Sequence, residues 1–352
     1  MTASLNGTGM VVDPRWAFGD SRIVRVGLDA GSHDMVLQSA NRLGDLVTPT
    51  TRRLRSLVAL VGDPAELLVG HEAVENRHET APFHPLDVAD TALLERLGDR
   101  LRAKLDPSGD KELWAVINSG SEQLKRIRVI AHHIFDRVCF LDPALLMATS
   151  FGSNEVARHS IWIDLGTNSI RVAPVHGGSP EPGERVVVPG GGRAVDERLK
   201  DALQKRFPDL MLSGVTVTSI KERFAHVQPE ELPCKLRISF RGSEQVIDIG
   251  THVRCACEPL VGEILDGLRS VVASCPSDSI EEMLGNIIVV GGCANMRGIE
   301  TRLCEEVRAH FGHDSRVRLP EDPTTLIANG ALRWAHFLRE DQWGVPLFSF
   351  AV

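Results

Sequence analysis

Several features that would assign the chain to a specialised class are missing from its sequence. No apolar run approaches the ~20 residues needed to cross a bilayer, and the first residues lack the basic-then-apolar order of a secretory signal. Basic residues are scattered rather than clustered, and the formal net charge is -8. We therefore expect a cytoplasmic protein without membrane contact, whose primary ligand is not a nucleic acid.

The cysteines do not form the pattern of a disulfide framework or a zinc site. There are seven, an odd number, spread through apolar segments of a long chain, which predicts reduced and buried thiols. Cys255 and Cys257 have no second Cys or His pair at zinc-finger spacing, so we interpret them as alternating residues of a strand rather than as metal ligands. Low-complexity tracts and repeats of 20 to 50 residues are also missing from the sequence.

What is present is the composition of a folded protein with more than one core. Hydrophobic residues make up 43% of the sequence and charged residues 24%, which are ordinary values for a folded soluble chain. A length of 352 residues favours two domains or two strongly subdivided halves.

Two similar segments stand at corresponding places in the two halves. "RVGLDAGSHDMVL" and "WIDLGTNSIRVA" each read as an apolar strand, a carboxylate, a Gly-containing polar turn and a second apolar strand. The carboxylates are Asp29 and Asp164. A strand-end carboxylate is costly to bury unpaired, so a hydrated cation such as Mg²⁺ between the two is the expected partner. The alternative is that both segments are merely tight turns.

The turns themselves predict a phosphate site. Successive backbone N–H groups in a Gly-containing turn form an anion-binding concavity, which we assign to Gly31-Ser32 and Gly166-Thr167. A third turn, Gly291-Gly292, follows the buried strand "NIIVV" and would let a base and sugar approach the backbone closely.

The order of predicted elements is also repeated. After the first hairpin we expect a strand in "ELWAVINSG" and a helix over "SEQLKRIRVIAHHIFDRV". After the second hairpin we expect helices in "GGRAVDERLKDALQKRF" and "VTSIKERFAHV", a hairpin from "KLRISF" and "EQVIDIG", and a long helix over "EPLVGEILDGLRSVVASC". The segment "DPTTLIANGALRWAHFLRE" closes the core.

Together the three turns resemble the two phosphate motifs and the adenosine motif of the actin-type ATPase superfamily. "GGGRAVDERLKDAL", "VTSIKERFAHV" and "IIVVGGCANMRGIETRL" add to the resemblance, which runs from Arg22 to Leu338. Within the superfamily the chain is most similar to the bacterial actins, with the magnetosome branch nearest and the MreB branch next. The resemblance implies an α/β fold of two duplicated lobes, each a mixed sheet flanked by helices, around a central nucleotide cleft.

The resemblance also implies a domain division. Residues 1–20 would be a loose segment, residues 21–160 lobe I with a small subdomain at about 45–105, and residues 161–335 lobe II with a small subdomain at about 200–255. Residues 336–352 would form a tail that packs on lobe I.

ATP and Mg²⁺ are the implied cofactors, and the site residues follow from the motifs. Asp29 and Asp164 would serve the metal, and Glu122, with Gln123 next, would position the attacking water together with Asp164. Glu122 also fits the alternative of an ordinary acidic residue in a first helical turn. The implied nucleotide-binding residues are Asp29, Gly31, Ser32, His33, Gly166, Thr167, Asn168, Gly191, Gly192, Lys221, Glu222, Gly291, Gly292 and Met296.

Four residues depart from the family pattern. Asn168 stands in place of the second Gly of the second hairpin, Ile170 and Arg171 end that motif, and Cys293 replaces a third Gly. Asn tolerates positive φ, so the turn is expected to survive. We therefore expect nucleotide binding without brisk hydrolysis.

The implied function is that of a cytoskeletal protein. It would bind ATP with Mg²⁺, polymerise with itself, turn over by slow hydrolysis and position an unidentified cargo, without binding nucleic acid directly. Two alternatives stay open: a nucleotide-binding scaffold with little or no hydrolysis, and a small-molecule kinase of the same fold.

Overall fold

A computed structural model describes most of the chain. The described residues are 22–31, 34–40, 49–55, 58–61, 66–69, 71–75, 90–118, 124–151, 159–176, 184–229, 232–240 and 243–343. The expected loose segment at residues 1–20 lies outside these ranges, as do Ser32, His33, Glu122, Gln123 and the last nine residues of the expected tail. The chain divides into two compact units, one of residues 1–150 with 325–352 and the other of residues 151–324.

Unit 1 is built on a five-stranded sheet of order β3-β2-β1-β6-β7, in which β1 pairs antiparallel with β2 and parallel with β6. A small two-stranded sheet, β4-β5, accompanies it. The strands are β1 Ile23–Ala30, β2 Asp34–Ala40, β3 Thr50–Arg55, β4 Val58–Val61, β5 Glu66–Val69, β6 Glu112–Asn118 and β7 Arg137–Leu141. The helices are α1 His71–Glu75, α2 Thr91–Leu105, α3 Leu124–Ile134, α4 Pro143–Phe151 and, from the end of the chain, α10 Leu326–Phe337.

Unit 2 repeats this plan. Its sheet has the order β10-β9-β8-β13-β14, in which β8 pairs antiparallel with β9 and parallel with β13, and a separate hairpin joins β11 to β12. The strands are β8 His159–Leu165, β9 Ser169–His176, β10 Val186–Pro189, β11 Lys235–Phe240, β12 Ser243–Asp248, β13 Ile287–Val290 and β14 Val317–Arg318. The helices are α5 Gly192–Arg206, α6 Gly214–Phe224, α7 Gly250–Ser274, α8 Ile280–Leu284 and α9 Ile299–Phe311.

Each unit has its own hydrophobic core, because the central strands are apolar on both faces and are covered by amphipathic helices. Every residue of β13 is buried, as are six of the seven residues of β6. Among the described residues, no helix is both long enough and apolar enough to span a bilayer.

The closing helix α10 belongs with unit 1, whereas we expected it to end lobe II at residue 335. Two glycines explain the difference. A Cβ at Gly27 in β1 would overlap the backbone of Ala328 and Leu332, and one at Gly330 would overlap the carbonyl of Leu146 in α4. Because neither glycine has a side chain, the helix lies directly on β1 and α4. Beyond α10, Trp343 packs edge-on against Trp114 of the same unit.

Two of our expectations for local structure are wrong. Cys255 and Cys257 lie in helix α7, not on a strand, and one is exposed while the other is buried. Residues two apart share one face of a strand but lie on nearly opposite faces of a helix, which accounts for the difference. The helix expected through Val138 ends at Ile134, and β7 starts at Arg137. The strands β3 and β14 and the short helix α8 were not expected.

All seven cysteines are free thiols, as predicted from their number. Burial is as expected only for Cys139, Cys234 and Cys257, whereas Cys275, Cys293 and Cys304 are partly buried and Cys255 is exposed.

Candidate functional site

In unit 1 the acidic end of the first strand is held by an amide. Asp29 is the second-last residue of β1, and the side-chain Nδ2 of Asn118, the last residue of β6, donates a short hydrogen bond to its Oδ1. Because β1 and β6 are parallel neighbours, their carboxyl ends meet at one edge of the sheet. Asp29 is half-buried there, and Gly31 follows at the start of the turn. The sequence predicts one half of the phosphate site at this edge of the sheet.

In unit 2 the corresponding carboxylate is held by a cation. Asp164, the second-last residue of β8, is 6% exposed, and Arg171 of β9 lies directly opposite it in the strand register. Arg171 Nη1 donates to Asp164 Oδ2 at 3.0 Å. The turn between them is closed by a hydrogen bond from the Gly166 N–H to the Ser169 carbonyl at 3.1 Å. The Gly166 N–H therefore serves the turn itself, whereas we had expected it to face phosphate.

The start of helix α5 is packed on the same turn. The N–H of Gly192 donates to the Gly166 carbonyl at 3.0 Å, and the N–H of Arg193 donates to the Thr167 carbonyl at 2.8 Å. Gly191 has a φ of 87°, and a Cβ there would meet the Gly166 carbonyl oxygen. Only glycine fits this conformation and this contact without strain.

Lys221 of α6 connects two helices inside unit 2. Its Nζ donates to the Gly192 carbonyl and to Asp196 Oδ2, each at 2.8 Å, and Thr218 Oγ1 donates to the same Asp196 oxygen at 2.9 Å. Lys221 is buried, whereas Glu222 is exposed. The other oxygen, Asp196 Oδ1, is buried and has no hydrogen-bond partner among the described residues. Such an acceptor is able to take a hydroxyl or amine donor from a ligand.

The third glycine turn follows β13, beside the acidic end of β8. Gly291 has a φ of 91°, and a Cβ there would lie 2.6 Å from the Leu165 carbonyl oxygen and 2.8 Å from Asp164 Oδ1. At Gly292, by contrast, an added Cβ would meet no atom of the described residues within 4 Å. The turn thus closes tightly on the strand through its first glycine and borders open space through its second. Met296, expected to pack against a base, is 4% exposed and lies in the hydrophobic core of unit 2.

Cys293 also lies at this turn, with its Sγ 3.9 Å from the Gly166 carbonyl oxygen. Burial raises the pKa of the Cys293 thiol to about 11, an effect that the nearby Lys221 ammonium opposes. The thiol is therefore neutral at physiological pH and does not act as a nucleophile.

Within unit 2, the structure brings together residues that are far apart in the sequence. We call Gly166, Gly191, Gly192, Gly291 and Gly292 the glycine cradle. Asp164, Thr167, Lys221 and Cys293 are joined to this cradle by the contacts above, and Asn168 lies exposed in its first turn. Asp29 and Gly31 belong to unit 1 and form a second set with Asn118.

Two residues that contribute to these sites, Asp196 and Asn118, were not predicted from the sequence. Asp196 lies one helical turn after the Gly191-Gly192 pair, a spacing that brings it back to the same helix face. Asn118 ends the strand "ELWAVIN", beside β1. Arg171 had been noted only as a departure from the family pattern, although its position directly opposite Asp164 follows from the hairpin register.

The donor set suits a nucleotide better than a metal on the unit 2 side. Among the described residues, the open space at Gly292 and the unpaired oxygen of Asp196 are both available to a neutral hydrogen-bonding ligand group. Asp164, however, already balances its charge against Arg171, and no group of three or more His, Cys, Asp or Glu in the described residues is able to hold a metal ion.

Two mixed sheets of the same strand order, each with an acidic strand end beside a glycine turn, define a bacterial actin-like protein. A family model described as MreB/Mbl protein matches residues 143–342, more than half of the chain, and the chain belongs to this family. The resemblance to the bacterial actins and the two-lobed α/β fold expected from it are both confirmed.

Curated relatives and solved structures agree with this assignment over nearly the whole chain. A MamK-like protein of Paramagnetospirillum magneticum AMB-1 is 25% identical over 347 residues, covering 92% of this chain and 98% of the relative. The solved MamK double helical filament has a TM-score of 0.79 at 23% identity, covering 90% of this chain and 100% of that one. MreB5 of Spiroplasma citri bound to ADP has a TM-score of 0.72 at 15% identity, covering 89% and 96%.

Proposed function

We propose that this chain is a cytoskeletal actin-like protein that binds ATP and assembles with copies of itself into filaments. The observation that carries the proposal is the glycine cradle of unit 2, where the described residues leave open space beside Gly292 and give a buried oxygen of Asp196 no hydrogen-bond partner. Two relatives in fold support it: one is described as a double helical filament, and the other is bound to ADP. Filament growth follows when subunits meet head to tail through different surfaces.

Each part of the site has a distinct role in this proposal. Gly166 and Thr167 approach the phosphates, the Gly191-Gly192 pair passes close to the sugar, and Asp196 accepts a hydrogen bond from a sugar hydroxyl. Lys221 holds α5 and α6 together, because both of its hydrogen bonds run to α5. Magnesium, when bound with ATP, would neutralise phosphate charge and would be held through Asp29.

Hydrolysis is proposed to be slow. Glu122, or Gln123 beside it, would position water, since phosphoryl transfer requires mainly positioning and charge stabilisation from the protein. The pairing of Asp164 with Arg171 removes a free carboxylate from the reacting end of the site. This observation favours the second candidate function, a nucleotide-binding scaffold without turnover.

Binding and assembly are tested with a substitution that fills the cradle. A Gly292→Leu side chain would enter space that no described atom occupies, so the variant is expected to fold while excluding nucleotide. Gly214→Leu is the matched control, because a Cβ at Gly214 also meets no described atom within 4 Å but lies at the start of α6. Nucleotide binding is followed by fluorescence titration, and assembly by light scattering and electron microscopy with ATP, ADP or neither.

We expect filaments from the native chain and from Gly214→Leu with ATP, and neither binding nor filaments from Gly292→Leu. Equal binding by both variants would refute the assignment of the cradle. If nucleotide binds but no filaments form under any condition, the assignment of the cradle stands and the cytoskeletal function is refuted.

Turnover is tested by phosphate release from the assembled protein. A slow release that falls with Glu122→Ala, and less with Gln123→Ala, would support the proposed water-positioning role. Release at the level of spontaneous hydrolysis from the unaltered protein would favour the scaffold instead.

A further inference from the structure

In unit 2 a guanidinium lies beside the turn that contains Gly166 and Thr167, for which the sequence predicts contact with phosphate. Arg171 Nη1 lies 3.0 Å from Asp164 Oδ2, and the same nitrogen is 4.0 Å from the position that a Cβ of Gly166 would take. The guanidinium therefore lies beside the first residue of the turn. Its side chain is 22% exposed and that of Asp164 is 9% exposed, so water screens the pair only partly.

The position of Arg171 is fixed by the fold rather than by chance contact. Asp164 and Arg171 are directly opposite residues of the β8-β9 hairpin, so their side chains lie on the same face of the sheet. On the other side of Asp164, Gly291 lies so close to Oδ1 that a side chain at position 291 would overlap the carboxylate. The carboxylate holds the guanidinium in place at the turn.

The guanidinium has donors to spare. An arginine has five N–H groups, and within the described residues the recorded hydrogen bond of Arg171 uses only Nη1. The planar fork of a guanidinium matches the geometry of phosphate oxygens. A divalent ion at Asp164 would instead meet the repulsion of this fixed positive charge.

We infer that Arg171 takes the place of the divalent cation on the unit 2 side of the nucleotide site and contacts the phosphates directly, so that nucleotide binding depends only weakly on Mg²⁺. This inference rests on the proposed nucleotide-binding function and deepens it. Arg171 thereby determines whether the metal-free nucleotide binds about as tightly as the metal-bound form.

The test is the affinity for a fluorescent ATP derivative in Mg²⁺ and in EDTA at equal ionic strength. For the native chain the two dissociation constants should differ by less than about threefold, because a fixed guanidinium supplies the countercharge in both conditions. For Arg171→Gln, binding in EDTA should weaken by about tenfold or more, the size of one lost charge-assisted contact, and Mg²⁺ should restore most of it.

Two further variants keep the test decisive. Arg302→Gln removes another partly buried arginine of unit 2, one that bonds Glu258 and Glu306, and should behave as the native chain does. If Arg171→Gln alone fails to fold, the double variant Asp164→Asn, Arg171→Gln leaves no uncompensated charge and should fold. It should then show the same weak binding in EDTA.

Each outcome decides the inference. Strong Mg²⁺ dependence of the native chain would overturn the role of Arg171 and leave the proposed function standing. Equal tolerance of EDTA by the native chain and by the Arg171 variants would overturn the assignment to this residue. No nucleotide binding in either condition would overturn both the inference and the proposed function.

Discussion

Asp29 and Asp164 occupy matching places in two sheets of identical strand order, yet the residues directly across the hairpin from them differ in charge. In unit 1 the strand opposite places Val36 across from Asp29, and the carboxylate receives a neutral amide from Asn118. In unit 2 the opposite strand places Arg171 there. The backbone plan is thus common to both units, and the chemistry at the strand end is set by one residue across the hairpin.

The comparison extends to how a helix covers each sheet. In unit 1, α10 lies against the backbone of β1 at Gly27, whereas in unit 2 one glycine of helix α7, Gly267, faces the methyl groups of Val172 and Val188. A contact between backbones adjusts poorly to an added methyl group, whereas neighbouring side chains are able to shift. Unit 1 should therefore be the less tolerant of added volume at this interface.

The largest expected effect comes from disrupting the packing of α10 on β1 in unit 1. Gly27→Ala would force the new methyl into the backbone of α10, with Leu332 Cα at 2.8 Å, and should cost more than about 3 kcal/mol in the free energy of unfolding. Gly267→Ala meets Val172 Cγ2 at 2.8 Å and Val188 Cγ2 at 3.2 Å, and the gain in helix propensity of about 1 kcal/mol offsets part of that cost. Urea unfolding followed by circular dichroism measures both.

A similar loss from the two substitutions would contradict the distinction between backbone and side-chain contact. Gly214→Ala serves as the control, because its Cβ would meet nothing within 4 Å in the part of the chain that the structure describes.

The sequence predicted those features of the fold that depend on local pattern. The duplicated hairpins, the strand "ELWAVIN" and the helix after Gly191 were all found from periodicity and turn residues. The association of α10 with unit 1 was not, because it depends on close contact between residues about 300 positions apart in the chain, as Gly27 and Ala328 are. Loop closure over such a distance leaves no local signal.

The candidate site divides in the same way. The glycines and the two carboxylates were predicted, since each ends a recognisable strand. The contact of Lys221 with Asp196 was not, because it depends on how α5 packs against α6. The cysteine pair at Cys255 and Cys257 was misassigned because a spacing of two fits strand alternation as well as opposite faces of a helix.

A smaller effect should separate the two strand ends directly. Arg171→Gln leaves a nearly buried carboxylate uncompensated and should lower the free energy of unfolding by about 2 kcal/mol, which the further change Asp164→Asn should largely restore. Asn118→Ala removes one hydrogen bond to the half-buried Asp29 and should cost about 1 kcal/mol. Urea unfolding midpoints at neutral pH show which of the two substitutions lowers the stability more. The distinction fails if Asn118→Ala is the more damaging change.

The smallest effect concerns pH and distinguishes the units once more. His226 of unit 2 is fully buried, and burial, reinforced by the positive charge of Arg297, lowers its pKa from 6.5. The unfolded chain therefore binds this proton first as the pH falls, so the stability is fully present above pH 6.5 and declines below it. The urea midpoint of the native chain should decrease as the pH is lowered from neutral to about 5. His226→Gln should make this dependence of the midpoint on pH weaker. His133→Gln, at a partly exposed histidine of unit 1 bonded to Asp99, is the matched control for the loss of an imidazole. An identical slope in the native chain and His226→Gln would mean that another group carries the acid sensitivity.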